Sequence, residues 1–237
     1  AIPEKKAVNL KEGEMVRQGT SIVTGKNSFV RLKFKNGALI SLGSNSKIVV
    51  YDLGKKKSGM ISLIQGKLRA KVEKKVKEQS FFVNTRTASL GIRGTEFQTI
   101  YNRDNKVTSM LTYDGKVQVV KVNEKLKKAL KVTPKTDQEI LEYRELSFKN
   151  ELKSKSAQGV ERGQYVGVSP NVKKASFPVK ISPVQFTALF NNDEMKKEEE
   201  ISKVVDKDGK LRGQVEQKAP LEGFRNRKTG SYAPRSG

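Results

Sequence analysis

The chain has no cysteine, no histidine and no tryptophan. Without cysteine there is no disulfide and no thiolate chemistry, a usage compatible with an oxidising compartment. Without histidine, His-based triads and His metal sites are excluded as well. No segment approaches the ~18 consecutive apolar residues that a spanning helix needs. Acids are scarce: 25 Asp and Glu stand against 48 Lys and Arg, a net charge of +23 over 237 residues. That excess is more than solubility requires and points to polyanionic partners, namely nucleic acid, anionic lipid headgroups or peptidoglycan carboxylates. The plain alternative is a solvated basic surface. Aromatic stacking platforms are few and no RRM, KH or zinc motif is present, so nucleic acid is not an expected partner.

What the chain does have is short alternating segments punctuated by turns. Phe29 to Lys35 places Val30, Leu32 and Phe34 on one face and Arg31, Lys33 and Lys35 on the other, the pattern of a half-buried strand with a cationic outer side. Asn36-Gly37 then predicts a hairpin, because both residues tolerate positive φ, and Ala38, Ile40 and Leu42 return as the inner face of the partner strand. Met60 to Gln65 reads as a strand, Gly66 as a break, and Lys67 to Val72 as another alternating strand with Lys67, Arg69 and Lys71 outward. Glu96 to Tyr101 is expected to pair with Val107 to Thr112, and Asp114-Gly115 to form a further tight hairpin leading into Val117 to Val122. Strands at this spacing predict an all-β sandwich, roll or β-helical stack, among which periodicity alone does not choose.

The most informative stretch is Val83-Asn84-Thr85-Arg86-Thr87-Ala88-Ser89-Leu90-Gly91-Ile92-Arg93-Gly94-Thr95-Glu96-Phe97. It reads as a strand ending at Val83, a small-residue segment, and a second strand from Gly94. Gly91 and Gly94 imply a kink or a close approach of another strand. Arg93 is expected to be half-buried and held by acceptors, with Glu96 as the economical ion-pair partner. With Gly25 to Leu32, Asn36 to Leu42 and Leu63 to Leu68, the segment resembles the signature of the FecR domain over roughly residues 14 to 122. The motif residues are Gly91, Arg93, Gly94, Thr95 and Phe97, and Arg162-Gly163-Gln164 is similar to a closing strand of such domains. The resemblance implies a β-roll or jelly-roll-type sandwich, an envelope setting and no catalytic residues. As a family, FecR proteins relay signals from outer-membrane receptors to sigma factors. This chain resembles only their periplasmic part, without the transmembrane and anti-sigma segments.

Residues 1–13 read as a lead-in and 14–192 as the β domain. A helical insertion is expected at about 124–157, where Thr136-Asp137-Gln138-Glu139 forms a capping box and Ile140, Tyr143 and Leu146 form the apolar face. Phe177 to Ile181 and Val184 to Phe190, each with prolines nearby, suit edges or straps. A short helix is expected over 193–206 and a basic extended tail over 207–237, with Leu221, Phe224 and Tyr232 as its anchors on a partner. Asp206-Lys207-Asp208-Gly209 lacks the later ligands of a calcium loop and reads as a turn, so neither metal nor cofactor is expected. The sharpest chemical feature is the set Arg31, Lys33, Lys35, Lys67, Arg69 and Lys71. On neighbouring strands these would make a row of cations that needs an acidic partner. The start Ala1-Ile2-Pro3, without Met, suits a mature periplasmic protein after signal-peptide removal. These readings converge on a non-enzymatic envelope binding protein, foremost a structural or adaptor subunit of an assembly. The alternatives are a FecR-type sensor or an electrostatic binder of cell wall.

Overall fold

The computed structural model describes residues 8–34, 37–53, 58–73, 81–131 and 137–191. The expected helix at 193–206, the tail with Leu221, Phe224 and Tyr232, the Asp206 turn, Thr136 and Lys35 lie outside the described residues.

Thirteen strands and three helices follow one another among the described residues. The first part is β1 (Ser21–Val23), β2 (Val30–Lys33), β3 (Leu39–Leu42), β4 (Lys47–Leu53) and the long β5 (Gly59–Lys71). Then come β6 (Phe81–Asn84), β7 (Ala88–Ile92), β8 (Glu96–Tyr101), β9 (Thr108–Asp114) and β10 (Lys116–Lys121). The helices α1 (Glu124–Lys131) and α2 (Asp137–Leu152) precede β11 (Gln158–Glu161), β12 (Gln164–Val168), β13 (Val179–Lys180) and α3 (Pro183–Asn191).

The strands form two layers joined through β5. Its N-terminal half pairs with β4 and, in parallel, with β6. Its C-terminal half pairs with β3 and β8. The first sheet therefore runs β1-β4-β5-β6-β7-β10-β11 and the second β2-β3-β5-β8-β9-β12-β13. Gly66, with φ +90°, does not break the chain into two strands as expected: β5 runs through it, and it is the hinge between the halves. Any side chain there would run into Ser46, whose Cα lies 2.6 Å from a built Cβ. The Ser46 hydroxyl instead accepts from Lys67 N at 2.9 Å.

Between the layers lies one apolar core, to which both sheets contribute alternate residues. Ile40, Leu42, Leu68 and Ala70 come from the second sheet and Ile61, Leu63, Val83 and Leu90 from the first. This is the mainly β sandwich that the strand spacing and the family signature predict. Two expectations change in detail. Asp114-Gly115 is no hairpin: β9 and β10 pair with different neighbours, and the chain crosses from one sheet to the other at this corner. Within the small-residue segment after Val83, Ala88–Ile92 forms a strand of its own, β7, paired with β6 and β10.

The helical insertion covers the outer face of the first sheet. Asn123 caps α1 by accepting from Leu126 N at 3.0 Å. Leu126, Phe148 and Leu152 pack on Met60, Phe82 and Val120 as a second apolar cluster. The buried stripe of α2 is thus Arg144, Phe148 and Leu152, at i, i+4 and i+8. The face expected to be buried is turned outward, with Tyr143 48% and Leu146 60% exposed. Among the described residues no helix is long and apolar enough to cross a membrane.

Candidate functional site

The outer face of the second sheet gathers most of the residues singled out by charge. Register places Arg31 beside Ser41, Ser41 beside Arg69, and Arg69 beside Gln98. One pleat along, the row is Lys33, Leu39, Lys71, Glu96 and Asp114. β3 therefore separates the two cationic strands, which puts Arg31 and Arg69 about 10 Å apart, two strand spacings rather than one. Serine and leucine occupy the intervening positions, and the close row of like charges does not form.

Arg69 also departs from its expected outward exposure. It is 4% exposed. Its Nε donates to Glu96 Oε1 at 2.9 Å and its Nη2 pairs with the same oxygen. The guanidinium sits 4.6 Å from the centre of the Tyr113 ring and 5.2 Å from that of Phe190. A buried cation needs such a carboxylate, and the ring faces add cation–π attraction. Arg31 Nε donates to Ser41 Oγ at 3.3 Å. Lys33 and Lys71 are exposed and Lys67 is half-buried.

Glu96 thus serves Arg69 and not Arg93, the partner its sequence position suggested. Arg93 is exposed, at the turn between β7 and β8, where water can solvate it. The other motif residues are architectural. What approaches Gly91 is a helix rather than a strand: a Cβ there would lie 2.5 Å from Leu152 Cδ1 of α2. Gly94 has φ +61°, and its carbonyl lies 2.8 Å from where a Cβ of Gly115 would stand. Two glycines are therefore needed for this corner to close. Phe97 is fully buried in the shared core. Thr95 is 2% exposed and its Oγ1 has no hydrogen-bond partner among the described residues.

Helix α3 lies across this face. Residues 184–190 were expected to form a strap or edge, yet they are helical, and the signal was present in Ser182-Pro183-Val184-Gln185. Ser182 Oγ accepts from Gln185 N at 3.2 Å, and Gln185 Oε1 accepts from Ser182 N at 3.2 Å, a reciprocal cap with proline at the first helical position. Phe186 and Phe190, one turn apart, reach Tyr113 with ring centres at 5.9 and 5.3 Å. Arg162 lies 5.5 Å from the Phe186 ring. Tyr113 itself donates to Gln98 Oε1 at 3.0 Å. Sequence reading missed this aromatic clamp because Tyr113 and Phe190 meet only in three dimensions.

The segment before β13, β13 itself and α3 expose apolar surface. Phe177 is 82%, Val179 62%, Val184 79% and Leu189 48% exposed. β13 pairs only with β12 among the described strands. Together these residues make an apolar rim along one edge of the second sheet.

Residues 20–118 match the family described as FecR protein, and the chain carries a FecR domain over that stretch. No curated protein matches the sequence. Two solved structures, at 2.50 and 1.65 Å resolution, are each described as "a putative anti-sigma factor from Parabacteroides distasonis ATCC 8503". Each is 12% identical, covers 73% of this chain and superposes with a TM-score of 0.49. The chain spans 65% of the length of those proteins, less than two thirds.

Proposed function

We propose that this FecR-domain chain is a non-enzymatic binding module of the periplasm, and that it docks another envelope protein through the apolar rim of its second sheet. The observation that carries this reading is the rim itself. Isolated exposed apolar residues are ordinary, but four large ones between residues 177 and 189, on the segment before β13, on β13 itself and on α3, suit a protein interface. The rim belongs to a segment outside the FecR match. A net charge of +23 would hold the module against anionic wall or lipid while the rim engages its neighbour. On this reading the chain is an adaptor or structural subunit of an envelope assembly.

The FecR match favours a second reading, in which the docked protein belongs to a signalling relay. One experiment separates the two. The full chain is purified from cell envelopes in mild detergent, sized on a gradient and its companions identified by mass spectrometry. A large particle of fixed stoichiometry supports the adaptor, and a monomer with a transient partner supports the relay. In either case the double variant Phe177→Ser/Val184→Ser should lose the companion. Unchanged co-sedimentation of that variant would remove the rim from the interface.

A further inference from the structure

A different surface points to a different ligand. Strand β2 ends the second sheet on the side opposite β13 and pairs only with β3 among the described strands. Phe34 N donates to Ala38 O at 2.8 Å, so the antiparallel alternation turns the peptide groups at positions 30 and 32 toward β3 and those at 31 and 33 away from it. Beside that edge runs a cleft of about 850 Å³, bounded on its far side by residues 13–18. This flanking segment forms no strand. It is held off β2 by turns at Gly13 and Gly19, with φ +81° and +82°, and is fastened to β4 where Gly19 N donates to Val50 O at 2.8 Å.

The cleft has a two-part lining. Val16, Leu32, Phe34 and Val50 supply an apolar floor, and Arg17, Arg31 and Lys33 set three cations against the single carboxylate of Glu14. Arg31 and Lys33 share one face of β2, whereas Leu32 belongs to the other, partly buried face and packs on the core. A strand laid along this edge would therefore meet cations at alternate positions and apolar surface between them.

We propose that the groove between residues 13–18 and the outer edge of β2 is a strand-addition site for an extended acidic peptide, one alternating acidic and apolar residues. Main-chain bonds to β2 supply affinity in this mode, and the alternation of side chains supplies selectivity. Charge complementarity selects an acidic partner, and the apolar floor distinguishes a peptide from a plain polyanion. The site does not depend on the rim described above, and its partner is distinct.

The test uses the full 237-residue chain and a fluorescein-labelled peptide of alternating glutamate and valine, read by anisotropy and by amide hydrogen exchange. Binding with slowed exchange at Arg31 and Lys33 is expected, together with no binding of the lysine–valine counterpart. Lys33→Pro removes an outward N–H at an edge where proline is tolerated, and should weaken binding roughly tenfold or more. Arg17→Glu lies outside the ladder, so it tests the charge without touching the sheet, and should weaken binding roughly tenfold. The proposal is overturned if polyglutamate or a single-stranded DNA oligonucleotide binds as well as the peptide while β2 exchange stays unchanged. It is equally overturned if the lysine–valine peptide binds, or if Arg17→Glu binds like the parent. Envelope co-purification should persist in Arg17→Glu, which separates failure here from failure of the rim.

Discussion

The two outer faces of the sandwich are each covered by helix, but by different physics. On the first sheet, α1 and α2 bring Leu126, Phe148 and Leu152 down onto Met60, Phe82 and Val120, and the contact is a second hydrophobic core. On the second sheet, α3 has no fully buried residue and holds on through two phenylalanine rings against Tyr113 and Arg69. Burial of apolar area scales with surface removed from water, so the first cover is integral to stability. Ring and cation contacts at a half-exposed surface are worth less, so the second cover is the one that can be lifted without unfolding the domain. Val184 and Leu189 of the apolar rim belong to this second cover.

Mutations can break or sharpen that contrast. The largest effect is expected for Phe148→Ala, which empties a fully buried ring position facing Phe82 at 6.0 Å between centres. It should cost about 4 kcal/mol in urea unfolding, and a loss no greater than that for an α3 residue would erase the distinction between the faces. Next is Glu96→Ala, which strands the Arg69 guanidinium in a buried site and should cost about 3 kcal/mol. The double variant Arg69→Met/Glu96→Leu should recover most of that, because no buried charge remains. Phe190→Ala should cost about 1 kcal/mol. Its informative readout is hydrogen exchange, faster in α3 and unchanged in α2.

The smallest effect concerns the core that both faces share. Tyr101 is 1% exposed, and burial pushes its phenol above the ordinary tyrosine value, with Arg86 and Arg103 acting in the opposite sense. The folded state then holds this proton more tightly than the unfolded chain does. Its stabilising contribution is complete below about pH 10 and declines as pH rises toward the folded value. Urea midpoints measured from roughly pH 9 to 11 should fall less steeply in Tyr101→Phe than in the parent. Equal slopes would show that this phenol does not titrate with unfolding.

Much of the architecture was legible because it is written in local patterns. Period-two alternation located β2, β3 and the C-terminal half of β5, and Gly37 of the expected turn lies between the first two with φ +80°. Gly66 announced the hinge of β5, although not that the chain changes sheets there. The reciprocal cap Ser182–Gln185 was equally local, with Pro183 at the first helical position, where proline is compatible with a helix. The buried stripe of α2 was a different matter. Arg144 interrupts it, and among the contacts of this buried arginine are Ala129 O, which accepts from its Nε at 3.0 Å, and the Tyr51 ring 5.0 Å away.

Composition and periodicity by themselves determined the chemistry that is excluded, the β character, the strand faces and the excess of positive charge. The signature around Gly94 determined the family resemblance. Only the tertiary structure decided which strands are neighbours. It put β3 between β2 and β5, and so dispersed the expected row of cations. The same folding paired Arg69 with Glu96 under α3, and left β2 as a sheet edge beside a cleft. The physical reason is that alternation within a strand records which face is buried, while pairing between strands depends on long-range closure, and a period of two is compatible with many partners.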